Sequence, residues 1–241
     1  MELKRLNKAI SETGFCSRRE ADKYIEQGKV KVNGETAGLG VKVSAKDSIS
    51  VNGTVVTKEV ENIYLVFNKP VGITCTTDTS IKGNIVSFIN HPERIFPVGR
   101  LDKPSEGLIF MTNDGDIVNK ILRSKNNHEK EYIVSVNRKI TQTFIDNMRK
   151  GVPILGTVTK KCIVRKIDNY TFSIVLTQGL NRQIRRMCAH LGYEVSALKR
   201  IRIMNINLGH LKPGKYRSFT SKELKEILRL TEDSSKTMEA S

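Results

Sequence analysis

Along residues 6 to 25, apolar positions recur every three or four residues. Leu6, Ala9 and Ile10 form one stripe, and Ala21, Tyr24 and Ile25 form a second after the turn around Gly14, the spacing that puts side chains on one face of a helix. The second segment, SRREADKYIEQG, opens with Ser17 and Glu20 in capping-box spacing and stops at Gly28. The period then shortens to two. VKVNG (30–34) and SISVNG (48–53) read as short strands, each ending in Asn-Gly, a pair that tolerates the positive φ angles of a tight hairpin turn. From residue 63 the apolar runs lengthen. IYLVFNKP (63–70) reads as a strand ended by Pro70, GLIFMT (107–112) as a strand turned by NDGD, and IVNKILR (117–123) as a short helix. EYIVSV (131–136) alternates like a half-buried strand, TQTFIDNMRKG (141–151) reads as a helix stopped by Gly151, and KKCIVRKI and YTFSIVLTQG (160–179) as paired strands. Strands outnumber helices and connect by short turns, so the expected class is α+β: a small N-terminal α/β module, then a domain built on a mixed, mostly antiparallel sheet with flanking helices.

The pattern breaks at TKEVEN (57–62), which predicts a module over 1–58, a linker over 59–62 and a larger domain over 63–232. The polar end, from residue 233, is expected to be disordered. Charge then narrows the partner. The 241 residues carry 41 Lys+Arg against 25 Asp+Glu, a formal net charge of +16, and such an excess points to a polyanion, nucleic acid first. Cys16, Cys75, Cys162 and Cys188 form no C-x-x-C pair, and His91, His128, His190 and His210 are equally scattered, so no metal site, disulfide framework or cofactor is expected. MELKRLNKAIS has no apolar h-region and no run approaches membrane-spanning length; a cytoplasmic protein without a membrane partner is expected.

One later segment needs closer reading. In NRQIRRMCAHLG (181–192), Asn181 stands where an N-cap is expected and Gly192 where a helix stops, and Ile184, Met187, Cys188 and Leu191 make a core stripe. Arg182, Arg185 and Arg186 then project from the other side as one guanidinium surface. With no acid in the helix they repel one another unless an anion compensates, and a phosphate backbone or a buried carboxylate would do so. VGRLDKPSEGL (98–108) offers such a carboxylate, Asp102, between Arg100 and Lys103. A solvated ion pair is the plain alternative, and Glu106, four residues on, invites a two-carboxylate glycosidase reading.

RLNKAISETGFCSRREADKYIEQGKVKVNG (5–34) resembles the S4 RNA-binding module. VGRLDKPSEGLIFMTNDG resembles the catalytic motif of pseudouridine synthases, KEYIVSV their tyrosine-bearing strand, and GLNRQIRRMCAHLGYEVSALKRIRI their basic third motif. Together they match the RsuA branch of that family in the expected order along nearly the whole chain. INHPERIFPVGRLD, NHEKEY and GVPILGTVTKKC are most similar to the RluF-type subgroup, whose substrate is large-subunit ribosomal RNA.

The resemblance implies an isomerase that turns a specific uridine of structured ribosomal RNA into pseudouridine, acting as a monomer without a small-molecule cofactor. It makes Asp102 the catalytic carboxylate, Tyr132 the ring that stacks on the extruded uracil, and Arg185 the basic partner of Asp102. Arg100 would enter the RNA, with Leu101 and Lys103 flanking the carboxylate and Arg182, Gln183, Ile184 and Arg186 continuing the contact surface. The S4-like helices would present Lys8, Arg18 and Arg19 to phosphates. Asp102 must be ionised inside a pocket that has largely excluded water, so a cation has to offset its desolvation. Whether it attacks C1′ or removes the C2′ proton stays open at this point. Two other functions compete: a non-catalytic ribosomal RNA assembly factor, and an N-glycosidase that releases uracil.

Overall fold

A computed structural model of the chain describes residues 3–56, 60–122 and 127–232. Residues 57–59 of the expected linker stretch, and the expected tail from 233, lie outside the described residues. Two compact units emerge, one centred on Met1–Asn62 with Pro92–Arg94 and Asn113–Gly115, the other comprising the rest.

In the first unit, β1 (Lys4–Arg5) leads into α1 (Leu6–Glu12), and α2 (Arg18–Glu26) follows. The short strands are β2 (Val30–Val32), β3 (Glu35–Thr36), β4 (Lys42–Val43), β5 (Ile49–Val51) and β6 (Thr54–Val55). Leu6, Ile10, Ala21 and Ile25 close over Val30, Val43 and Val51 as one core, because the helical period puts them on facing stripes. The capping box forms: Ser17 Oγ accepts from the Glu20 N–H at 3.2 Å, and the Glu20 carboxylate accepts from the Ser17 N–H at 2.7 Å. Asn33 and Asn52 take φ of 51° and 49°, with Gly34 and Gly53 at 90° and 79°. Both Asn-Gly pairs therefore turn hairpins, β2–β3 and β5–β6, within a sheet ordered β3-β2-β5-β6. The return arms, two residues each, are too short to show in a hydrophobic pattern.

The second unit begins with β7 (Tyr64–Lys69), α3 (Ile85–Ile89), β8 (Phe96–Val98), β9 (Glu106–Thr112) and α4 (Gly115–Leu122). Next come β10 (Lys130–Val136), α5 (Gln142–Lys150), the small hairpin β11 (Pro153–Ile154) and β12 (Thr157–Val158), then β13 (Ile163–Lys166) and β14 (Thr171–Leu176). The last elements are α6 (Gln183–His190), β15 (Val195–Ile203), β16 (Ile206–Asn207), β17 (Tyr216–Ser218) and α7 (Ser221–Leu230). Seven strands run β13-β14-β10-β15-β9-β7-β17, with β16 added to β15 and β8 to β9. The β9–β15 pairing is parallel and the others antiparallel, so the sheet is mixed as its class requires. Three cores clothe it. Phe144, Ile145 and Met148 of α5 join Ile184, Met187 and Cys188 of α6, Ile117 and Ile121 of α4 join Ile227 of α7, and Ile85 of α3 packs with Phe67 and Ile109. Among the described residues no helix is long and apolar enough to cross a membrane.

The cap of α6 differs from the sequence expectation. Arg182, not Asn181, is the N-cap, in the left-handed region at φ 49°. Asn181 is occupied instead: its backbone oxygen and Oδ1 accept from Arg186 at 3.1 and 3.2 Å.

Candidate active site

Where β10 and β15 lie side by side, a cleft of about 550 Å³ opens in the second unit. One wall is the loop between β8 and β9, residues 99–105, which begins at Gly99 with φ 77°. This loop is held at many points along its length. The Gly72 N–H donates to Lys103 O at 2.8 Å, the Ser105 N–H to Asp102 O at 2.9 Å, and the Leu101 N–H to Cys75 Sγ at 3.4 Å. From beneath, Lys69 Nζ donates to Pro70 O at 2.7 Å and to Ser105 O at 2.8 Å. Lys69 is fully buried, and burial pushes its ammonium below the usual lysine range, against the pull of Cys75, Asp102 and Glu106. A fixed loop fixes its carboxylate: Asp102 is the one carboxylate among the described residues lining the cleft. Its side chain is 34% exposed, so the water exclusion expected from the sequence has to be completed by a bound substrate.

The expected guanidinium surface is divided into three separate roles. The left-handed turn at Arg182 swings that side chain back toward the loop, and its Nη1 lies 3.8 Å from Asp102 Oδ2. Arg185, the expected partner of Asp102, spends its fork on two backbone oxygens and a hydroxyl: Nη1 donates to Val195 O at 3.1 Å, and Nη2 to Pro104 O at 3.2 Å and Ser105 Oγ at 3.4 Å. It thereby ties α6 and β15 to the loop. Burial and the neighbouring Arg182 lower its pKa, while Asp102 pulls it the other way. Arg186 is turned onto Asn181. Arg100 and Lys103 are exposed on the loop, whereas Leu101, Gln183 and Ile184, expected as contact surface, are buried. Gln183 is used up locally, its Oε1 accepting from the Leu180 N–H at 3.0 Å. Glu106 pairs with Lys199 at 2.8 Å and does not line the cleft, which removes the second carboxylate a glycosidase pair would require.

Tyr132 lines the cleft from β10, and Arg200 lies above its ring with Cζ 5.9 Å from the centroid. Two backbone devices put Arg200 there. At Gly107 (φ 120°) β9 comes so close to β15 that a Cβ would sit 2.3 Å from Arg200 O and 2.6 Å from its N. The register of β10 against β15 also slips, pairing Glu131 with Arg202 but Tyr132 with Arg200, so Ile201 is an extra residue. Such a bulge re-aims the side chains beyond it. Arg202 accordingly bonds Glu131 and Glu129, each at 2.9 Å, while Arg200 is buried, its Nε on Leu108 O at 2.7 Å.

Lys69, Lys130 and Arg200 were not singled out from the sequence. For Lys69 the signal was a lysine ending an otherwise apolar run, and for Lys130 its place two residues before Tyr132 on an alternating strand. Arg200 gave none, because its direction depends on the bulge. In the first unit, Arg18 and Arg19 are exposed on α2, and Lys8 reaches Glu12 at 3.5 Å.

The sequence pattern described as RNA pseudouridylate synthase matches residues 63–190, and that of the S4 domain residues 4–49. The dual-specificity RNA pseudouridine synthase RluF of Escherichia coli (strain K12) is 57% identical over 96% of this chain and 80% of its own length. The ribosomal large subunit pseudouridine synthase B of Bacillus subtilis (strain 168) is 36% identical over 95% of this chain and 98% of its own. A crystal structure of a pseudouridylate synthase superposes with a TM-score of 0.69 at 31% identity, covering 92% of this chain and 99% of that one.

Proposed function

The chain belongs to the RNA pseudouridine synthase family, to its RluF type, and carries an S4 domain; on that footing we propose that it isomerises a specific uridine of large-subunit ribosomal RNA to pseudouridine. The supporting observation is the cleft in which Asp102, the one carboxylate among the described lining residues, lies 3.8 Å from Arg182 and shares that lining with Tyr132. The reaction breaks the C1′–N1 bond, rotates the detached uracil and joins C5 to C1′. One ionised acid serves that sequence, either by attacking C1′ or by taking the C2′ proton to leave a glycal.

Each residue then has a task. The target base cannot react while stacked, so it is flipped out against an unstacking cost of about a few kcal/mol. The exposed Arg100 enters the vacated position, and Tyr132 stacks on the extruded ring. Arg182 supplies the positive charge beside the Asp102 carboxylate once RNA has displaced water. Arg185 acts through the loop, holding Pro104 and Ser105 so that the carboxylate meets the sugar in one orientation. Arg18 and Arg19 of the S4 domain hold phosphates, which position the RNA without reading its bases. The protein works in the cytoplasm as a monomer on a structured stem-loop.

The test is to incubate unmodified ribosomal RNA transcripts with the protein and examine the product. Isomerisation leaves the RNA mass unchanged and creates a carbodiimide-reactive base that stops primer extension. Release of uracil would lower the mass by one base, and an assembly factor would leave the RNA as it was; either result refutes the proposal.

A further inference from the structure

Lys130 lines the same cleft as Asp102 and has no task in the steps above. It lies two residues before Tyr132 on β10, so both side chains leave the same face of the strand, about 6.5–7 Å apart along it. A pyrimidine lying against Tyr132 therefore brings one edge toward the Lys130 ammonium. Among the described residues that ammonium has no carboxylate partner, and its one hydrogen bond is to the backbone oxygen of His128 at 3.2 Å.

The charged groups around it are cationic except for Asp102. Arg200 faces it from β15, and Arg182 and Arg185 share the cleft from the α6 side, while burial and Lys130 itself hold the neighbouring His128 below the usual imidazole range, so it stays neutral. Glu129 and Glu131, its sequence neighbours, are taken by Arg202. Arg200 is 4% exposed, and its Nη2 has no hydrogen-bond partner among the described residues. A buried guanidinium without a counter-anion is costly, and it is offset when negative charge arrives in the cleft.

The reaction generates such a charge. When C1′–N1 breaks, the bonding pair stays with the uracil, as an anion spread over N1, O2 and O4. We propose that Lys130 is a catalytic proton carrier for this anion: it donates its proton to the N1–C2–O2 edge as the bond breaks and recovers one from C5 after the new bond has formed. This rests on the pseudouridine synthase reading above. The proton count balances, since uridine loses the hydrogen on C5, pseudouridine gains one on N1, and Lys130 ends as the ammonium it began as. A half-turn of uracil about its N3–C6 axis exchanges N1 with C5 and O2 with O4. A stationary donor thus meets an equivalent edge before and after rotation, whichever route Asp102 takes at C1′.

Burial, with Arg200 beside it, pushes Lys130 down to about 8, where an amine both gives and takes a proton near neutral pH. Above that value the wild-type enzyme loses the donor form, so its single-turnover rate should fall.

The test uses the full chain and large-subunit ribosomal RNA transcripts made with uridine or with 5-fluorouridine, whose ring carries negative charge more readily. Lys130→Met should slow conversion of the uridine transcript by about a hundredfold with RNA affinity changed less than threefold. Its defect should shrink at least fivefold on loss of the starting nucleoside from the fluorinated transcript. Lys130→Arg, which keeps the charge but does not titrate, should retain more activity than Lys130→Met and lose the alkaline fall. Equal defects on both transcripts, a Lys130→Met rate within twofold of wild type, or an alkaline limb that persists in Lys130→Arg would overturn the proposal. Absence of pseudouridine from the wild-type reaction would instead overturn the function on which it rests.

Discussion

Replacing Gly107 with alanine tests whether the close approach of β9 to β15 builds the site. The added Cβ would lie 2.3 Å from Arg200 O and 2.6 Å from Arg200 N, both backbone atoms, at a residue with φ +120°. Neither strand can step aside alone. Gly107 also pairs with Lys69 of β7, and Arg200 with Tyr132 of β10. The disfavoured backbone angle costs about 1–3 kcal/mol for a residue with a side chain. Overpacking against a fixed neighbour adds about 1–3 kcal/mol. A midpoint of about 4 kcal/mol corresponds to a fall in melting temperature of roughly 8–16 °C for a protein of this size. Thermal unfolding by circular dichroism measures the first effect. Single-turnover pseudouridine formation, at a temperature where the variant remains folded, measures the second and should fall by at least tenfold as Arg200 and the loop beyond Ser105 shift. A melting temperature within 2 °C of wild type together with full activity would refute the reasoning.

Other outcomes follow from the same geometry. Asp102→Asn should abolish isomerisation and leave RNA affinity within a few-fold, because one lost negative charge in a basic cleft does not weaken phosphate binding; turnover at a tenth of the normal rate would contradict the role assigned to it. Arg185→Lys should lower the rate at least tenfold, because a point charge cannot serve Val195 O, Pro104 O and Ser105 Oγ together as a planar fork does, with substrate affinity little changed in a filter-binding titration. Deleting residues 1–58 should leave a folded catalytic unit whose RNA binding is weaker and less salt-sensitive, the logarithmic slope falling by about 1.5–2.5 for two to three lost phosphate contacts. Lys130 titrates lower in the folded chain, at about 8, than its ordinary 10.5, so the unfolded state binds more protons between those values and stability rises with pH there. Urea midpoints of wild type and Lys130→Met should therefore converge from pH 8 toward pH 10.

Local rules were enough wherever one side chain decides one turn. The Ser17–Glu20 box, the two Asn-Gly hairpins and the helix stop at Gly151 were all readable, because caps and turns are satisfied within a few residues. β15 was not readable as a strand, since Lys199, Arg200 and Arg202 interrupt any apolar alternation and their burial depends on partners about 70 to 90 residues away. α7 was missed although Thr220 and Glu223 form a capping box, because only Ile227 is buried on it. Asp102 and Tyr132 were legible as motif residues, and both line the cleft. The arginines were legible only as a group: which one approaches Asp102 depends on a left-handed turn at Arg182 that no helical pattern announces.

The extra residue at Ile201 makes the inner wall of the cleft a matter of odd and even. Along an extended chain the two faces alternate, so one inserted residue exchanges them for everything on its far side. Leu198 and Arg200 face inward and Arg202 outward across the extra Ile201. Deleting Ile201 would remove the bulge and leave Arg200 next to Arg202 on opposite faces, still opposite Tyr132 and Glu131, whereas deleting Lys199, at a regular position, would turn Ala197 toward the substrate in place of Leu198. Point substitutions along β15 can therefore be absorbed one at a time, whereas a single-codon gain or loss at a regularly paired position cannot. Natural length variation in this protein should avoid the regularly paired positions between Val195 and Ile203, with Ile201 the one tolerant site, and otherwise collect in its surface turns.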